Sequence, residues 1–327
     1  MLTVGSHPVV PASATSPLKV PASSLTPSPP IAAHTIAFPH LAQQFRSGQD
    51  LGRWVRAYVE RHGMALLKGW QPGSEQGDVD STSGRDSGRD SQHNSKHDPE
   101  RNPGRNSGRN LDSIMADFGE FCRSIGTLVP HNPGQDDFVW PIRPVVSRSA
   151  LKTFSEHNQA AQLHTDSQYR PQPEHFVAMC MVQTAQCGGG ASMLLDFRRV
   201  IEDLEQTAAG QALLQVLRTH KLPIGVPSIF REPGDSGYIE ASILEGAVPF
   251  RYRYDTMKAG LDQVDPSQRA ELAEALDRLD AVIQASPHRL EFPMENQDVL
   301  LVDNHRFLHG RKAFTDLDRL LLRVRFD

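Results

Sequence analysis

Leu163-His164-Thr165-Asp166-Ser167, answered far downstream by Asp303-Asn304-His305-Arg306-Phe307-Leu308-His309-Gly310-Arg311, is the stretch around which the chain reads. Side chains alternate along an extended strand, so His164 and Asp166 project to one side and can hold one metal ion together. A distant histidine then completes three ligands. Two histidines and a carboxylate on one face of an iron(II) centre leave positions open for a co-substrate and O₂. The tripeptide alone is a weak signal, since a chain with 14 histidines contains about one His-x-Asp by chance. Its bland reading is a hydrogen-bonded pair at a strand end. His305 and His309 share parity, and spacing does not choose between them.

Downstream, Val299 to Val302 reads as a buried strand, and Arg319 to Phe326 returns as its hairpin partner with strict alternation. Leu320, Leu322, Val324 and Phe326 take one face, and Arg319, Leu321, Arg323 and Arg325 take the other. On an outer face three arginines are simply solvated; facing inward they need anions, which a dicarboxylate co-substrate and an acidic substrate would supply. Between the two halves, Phe176 to Val182 is a continuous apolar run suited to a strand buried on both faces. The Gly188-Gly189-Gly190 turn delivers Ser192 to the next strand, where a hydroxyl more often bonds the backbone of a turn. Leu222 to Ala247, with its Pro, Gly and acidic clusters, is a lid candidate.

Upstream, Leu51, Trp54, Val55, Tyr58 and Val59 have helical spacing that Gly63 ends, and Met64 to Leu67 comes next as a short buried strand. From 71 to 110 the chain loses its apolar residues and repeats Ser-Gly-Arg-Asp and Gly-Arg-Asn units, a composition that cannot offset its own ordering entropy. Acidic residues largely cancel its arginines, so it reads as a solvated insert rather than a nucleic-acid arm. Leu111, Ile114, Met115, Phe118, Cys122 and Ile125 resume a helical face, and Thr127 to Val146, broken by four prolines, is loop with short extended pieces. Asp196 and Asp265 are expected to cap two further helices, the second with Pro266 at its first position.

A chain of 327 residues, 38% apolar, can bury one large core. Residues 1–35 read as a disordered Pro/Ser-rich tail and 36–327 as a single domain carrying the insert. A formal charge of -5 leaves no footprint for nucleic acid or an anionic membrane, and no apolar run approaches a bilayer's thickness. Three cysteines form no disulfide framework and no metal-ligand spacing, which suits a cytoplasmic enzyme with small-molecule partners.

Gly63 to Gly69, Leu163 to Asp166, Cys187 to Ser192 and Asp303-Asn304 through Arg323, in that order and spacing, resemble the taurine catabolism dioxygenase and clavaminate synthase-like family of iron(II)/2-oxoglutarate-dependent oxygenases. The resemblance runs from about Trp54 to Phe326, outside the insert. It implies a mainly β fold with helices covering one side, a double-stranded β-helix or jelly-roll barrel. It implies iron ligands His164, Asp166 and His309, since the family pattern of Asp-Asn before the ligand histidine favours His309 over His305. It also places 2-oxoglutarate on Arg319 and Ser192, a Ser where the family more commonly has Thr, and a substrate anion on Arg323. The segment 127–146 helps to wall the pocket in that family. The implied reaction couples decarboxylation of 2-oxoglutarate to oxidation of a small carboxylate-bearing or amino-acid-like metabolite, hydroxylation being the default. Chlorination is disfavoured because Asp166 is present. Two other classes stand beside this reading: a hydrolase using the three ligands on zinc, and a catalytically silent binding protein on the same barrel.

Overall fold

The computed structural model describes residues 30–73, 110–132, 134–145, 154–231, 234, 236–244 and 250–327. The tail to residue 29 and positions 74–109 of the insert lie outside the described residues. Residues 30–35, expected from their composition to belong to the tail, instead contain a 3-10 turn, Ile31–His34, and the start of the first strand. Asn110, expected to end the insert, caps a helix by accepting from Asp112 N.

The strands are β1 (Thr35–Ala37), β2 (Met64–Lys68), β3 (Leu128–Val129), β4 (Trp140–Ile142), β5 (Ala161–His164), β6 (Phe176–Gln183), β7 (Ser192–Asp196), β8 (Lys221–Gly225), β9 (Tyr238–Ser242), β10 (Leu290–Phe292), β11 (Val299–Asp303), β12 (Phe307–Arg311) and β13 (Leu320–Phe326). The helices are α1 (Phe38–Ala42), α2 (Gly48–His62), α3 (Leu111–Ile125), α4 (Phe197–Glu205), α5 (Ala208–Thr219), α6 (Tyr254–Gly260) and α7 (Pro266–Ala285). One sheet runs β1-β2-β11-β6-β13-β3, with β4 also on β13; a smaller one runs β10-β7-β12-β5; β8 and β9 form a separate pair.

Alternation along the strands of the larger sheet assigns each face. Ala65, Leu67, Ala178, Cys180, Val299, Leu301, Leu322 and Val324 face outward into a core shared with α2 and α3. Met64, Leu66, Met181, Leu300, Val302 and Leu321 face inward and meet Leu194, Phe292 and Phe307 of the smaller sheet. Each fully buried Leu or Val side chain contributes about 1.5–3 kcal/mol here. The smaller sheet also turns apolar residues outward, Leu163, Met193, Leu195 and Leu308, and these pack under α4, α5 and α7.

Three expectations are corrected by this packing. The fold is mixed rather than mainly β: helical residues outnumber strand residues among those described. Helices cover both outer faces, not one side, because both sheets present apolar residues outward and each needs its own layer. Val299–Asp303 and Leu320–Phe326 do not form a hairpin either; β6 lies between β11 and β13, and the chain visits the smaller sheet as β12 on the way.

Helix ends obey the capping residues. Ser47 accepts from Asp50 N at the start of α2, and Gly63 closes it in the left-handed region at φ 83°. Asp196 and Asp265 cap α4 and α7, with Pro266 at the first position of α7. Among the described residues no helix is long and apolar enough to cross a membrane.

Candidate active site

In the smaller sheet β12 pairs with β5 on one side and β7 on the other, which sets His309 opposite both His164 and Leu194. The Nε2 atoms of His164 and His309 each lie 3.6 Å from Asp166 Oδ1. One nitrogen or oxygen from each of the three residues falls within 4.8 Å of the others, and all three residues are buried. His164 Nδ1 is 2.7 Å from the Gln162 carbonyl. A carbonyl only accepts, so Nδ1 carries the proton and Nε2 turns its lone pair toward Asp166 and His309. Burial, then the neighbouring His309, lowers the His164 pKa and keeps the ring neutral. Burial pushes the Asp166 carboxyl up, but the neighbouring Arg323 guanidinium outweighs it and helps hold the group well below the usual carboxylate range. Two imidazole nitrogens and an ionised carboxylate, converging from three buried side chains, fit a divalent metal.

β5 ends at His164, and groups from elsewhere in the chain hold Thr165 and Asp166. Thr165 N donates to the Tyr252 carbonyl, and Asp166 N donates to Asn304 Oδ1 at 2.7 Å. Asn304 Nδ2 donates to the carbonyls of Asp166 and Glu174. Ser167 then takes a left-handed φ of 54°, which turns the chain out of the strand. Asn304 is 1% exposed, so Asn304→Ala leaves the Asp166 amide and two carbonyls without partners. We expect a stability loss of about 1–3 kcal/mol by denaturant titration, together with weakened metal binding. A variant with wild-type metal affinity would show that the metal rather than Asn304 positions Asp166. His305, which spacing alone could not set aside, points elsewhere: its Nε2 bonds the Pro173 carbonyl and its ring stacks on His175 at 4.5 Å.

Arg323 and Arg325 of β13 face inward, Arg319 lies just before the strand, and the three differ in how they are neutralised. Arg325 meets Glu174 at 3.6 Å, donates to Ser167 Oγ and donates to the His131 carbonyl. Arg323 Nη1 lies 3.0 Å from Asp166 Oδ2. Arg319, 3% exposed, has neither hydrogen bond nor ion pair among the described residues and sits beside the Phe314 ring, 5.4 Å from its centroid. Burial and the nearby Arg311 push its pKa down to about 10. Arg319 also closes over the glycine turn: a Cβ at Gly190 would come 3.1 Å from its Nε. Two residues on, Ser192 pairs with Arg311, one alternation along β7 and β12 from Leu194 and His309. Ser192 and Arg319 thus belong to one flank of the triad.

On the other flank a cavity of about 590 Å³ is lined by His164, Asp166 and Arg323, but not by His309, Ser192 or Arg319. Its walls include His131 and Trp140, stacked at 3.8 Å, from the proline-broken segment 127–146. Burial, Arg323 and Arg325 push the His131 pKa down to about 2, so that ring is neutral. The lid candidate contributes Val226, Pro227 and Phe230, the last stacked on Tyr169; positions 232, 233, 235 and 245–249 lie outside the described residues. Sequence reasoning singled out neither Arg253, which lies over the Phe154 ring at 4.0 Å, nor Asp255, whose carboxylate accepts from Arg253 at 2.8 and 2.9 Å. Nothing in their local pattern distinguishes them from a surface pair. Asn304 carried a signal in the Asp-Asn pair, though not its role.

Among solved structures the chain is similar to the non-heme iron oxygenase OrfP in complex with Fe and alpha-ketoglutaric acid, at 19% identity over 88% of this chain and 82% of that one, with a TM-score of 0.58. It is similar to an asparagine oxygenase in complex with Fe(II), 3-hydroxyasparagine and succinate, at 16% identity over 89% and 93%, again with a TM-score of 0.58. Both likenesses concern the fold. No curated protein matches the chain in sequence. The family model of the taurine catabolism dioxygenase TauD, TfdA family matches residues 109–325, and the chain belongs to that family.

Proposed function

We propose that this chain is an iron(II)/2-oxoglutarate-dependent dioxygenase that hydroxylates a small carboxylate-bearing or amino-acid-like metabolite in the cytoplasm. The observation that carries the reading is the buried convergence of His164, Asp166 and His309. Two packed sheets whose facing sides share one core support the double-stranded β-helix reading of the fold. Solved structures of similar fold were obtained with Fe, alpha-ketoglutaric acid or succinate, and with hydroxylated arginine or asparagine.

His164, Asp166 and His309 would hold iron(II). Bound there with 2-oxoglutarate and O₂, the metal supplies the oxidising chemistry, with 2-oxoglutarate converted to succinate and CO₂. The protein's own groups do the rest. Arg319, buried and without an ion pair among the described residues, receives the distal carboxylate of 2-oxoglutarate through paired N–H donors, together with Ser192. Arg323 borders the cavity and takes the substrate's anionic group while also touching Asp166. The aromatic walls exclude water and hold the substrate body. Asp255, one of the cavity carboxylates that a zinc hydrolase could use as base, is tied to Arg253 on both oxygens. Anaerobically loaded with iron(II), the chain should release succinate from 2-oxoglutarate once O₂ is admitted, and substrate should accelerate it. Activity sustained by zinc with no succinate formed would select the hydrolase, and no turnover of either kind the silent binding protein.

A further inference from the structure

A second cavity, of about 330 Å³, opens beside the start of α4 and the turn between β11 and β12, and no residue lines both cavities. Its charges do not balance. Asp196 serves two guanidinium groups, Arg306 at 2.6 Å and Arg198 at 3.2 Å. Glu202 matches Arg199 at 2.8 Å. Arg61, at the end of α2, has no hydrogen bond or ion pair among the described residues. Two carboxylates therefore face four guanidinium groups, an excess of two positive charges. α4 begins here, its first amide capped by Asp196, with Arg198 and Arg199 in its first turn.

Two imidazoles stand behind the same wall. His288 faces this cavity at 4% exposure with its Nδ1 unpartnered, and its Nε2 lies 3.3 Å from Asp203 without the alignment of a hydrogen bond. His34 Nδ1, on the same wall, is also buried and unpartnered. Buried polar atoms of this kind are normally satisfied.

We propose that this cavity binds a phosphate-type dianion, either free phosphate or the phosphoryl group of a small metabolite. A dianion neutralises the excess charge and accepts from the planar guanidinium groups. The space suits a group of that size rather than a polymer.

The test is isothermal titration of the full chain at constant ionic strength under anaerobic conditions, with iron(II) and 2-oxoglutarate already bound so that the metal centre is occupied. Inorganic phosphate and glycerol phosphate are the probes. Saturable binding is expected, and Arg61→Glu or Arg198→Glu, both exposed side chains that should leave folding intact, should weaken it by about tenfold or more. Tighter binding of the ester assigns a phosphoryl metabolite; equal or tighter binding of inorganic phosphate assigns the free ion. Absence of saturation in the millimolar range for both probes overturns the site, as does binding that survives both charge reversals.

Discussion

His309→Ala should lose more than about a hundredfold in turnover, since removing even an outer partner of a metal ligand costs 10–100-fold, whereas His305→Ala should retain measurable activity. Both residues come from the same nine-residue stretch and share parity. Only His309 lies with His164 and Asp166; His305 is taken up by the Pro173 carbonyl and His175. Anaerobic iron titration and then succinate release separate them: the His309 variant should lose the tight iron site and circular dichroism should report an unchanged fold. Iron retained by His309→Ala, with equal loss of turnover in His305→Ala, would mean the wrong histidine has been assigned.

The second large effect belongs to Arg319→Ala. Removing a charged hydrogen-bonding partner costs about 1.5–3 kcal/mol, so the KM for 2-oxoglutarate should rise about ten- to a hundredfold, whatever substrate is supplied. Arg319→Lys keeps the charge but not the paired donors and should recover only part of the loss. Arg323→Ala should act differently. Its guanidinium touches Asp166, so the variant should weaken the prime substrate and also loosen iron, because Asp166 loses the cation that holds its carboxyl low. An unchanged KM for 2-oxoglutarate in Arg319→Ala would exclude that arginine from the co-substrate site.

Much of this arrangement was legible in the residues. Alternation placed Arg323 and Arg325 on one side of a strand, and it is the inner side; Arg319, expected to share it, lies before Leu320, where the pairing register shifts. The proline-broken segment 127–146 was expected to wall the pocket, and His131 and Trp140 do. What alternation does not carry is which cation each inward anion meets. Glu174 and Asp166 reach Arg325 and Arg323 through a turn at Ser167 that no periodicity encodes. The second helical layer was hidden for a similar reason: a continuous apolar strand such as Phe176 to Val182 states that both faces are covered without saying by what. Strand order was equally silent, because pairing of β11 with β6 rather than β13 is decided by packing across the whole sheet.

β5 is the outermost strand of the smaller sheet and, among the described residues, pairs with β12 alone, through a ladder whose register shifts between His309 and Arg311. The same few residues supply two of the three prospective ligands, and the third comes from the neighbouring strand. A metal gripped there fastens the sheet's loose margin to its interior, so iron acts as a rivet as well as a reagent. Loading with metal then protects this margin from fraying and proteolysis before any substrate arrives.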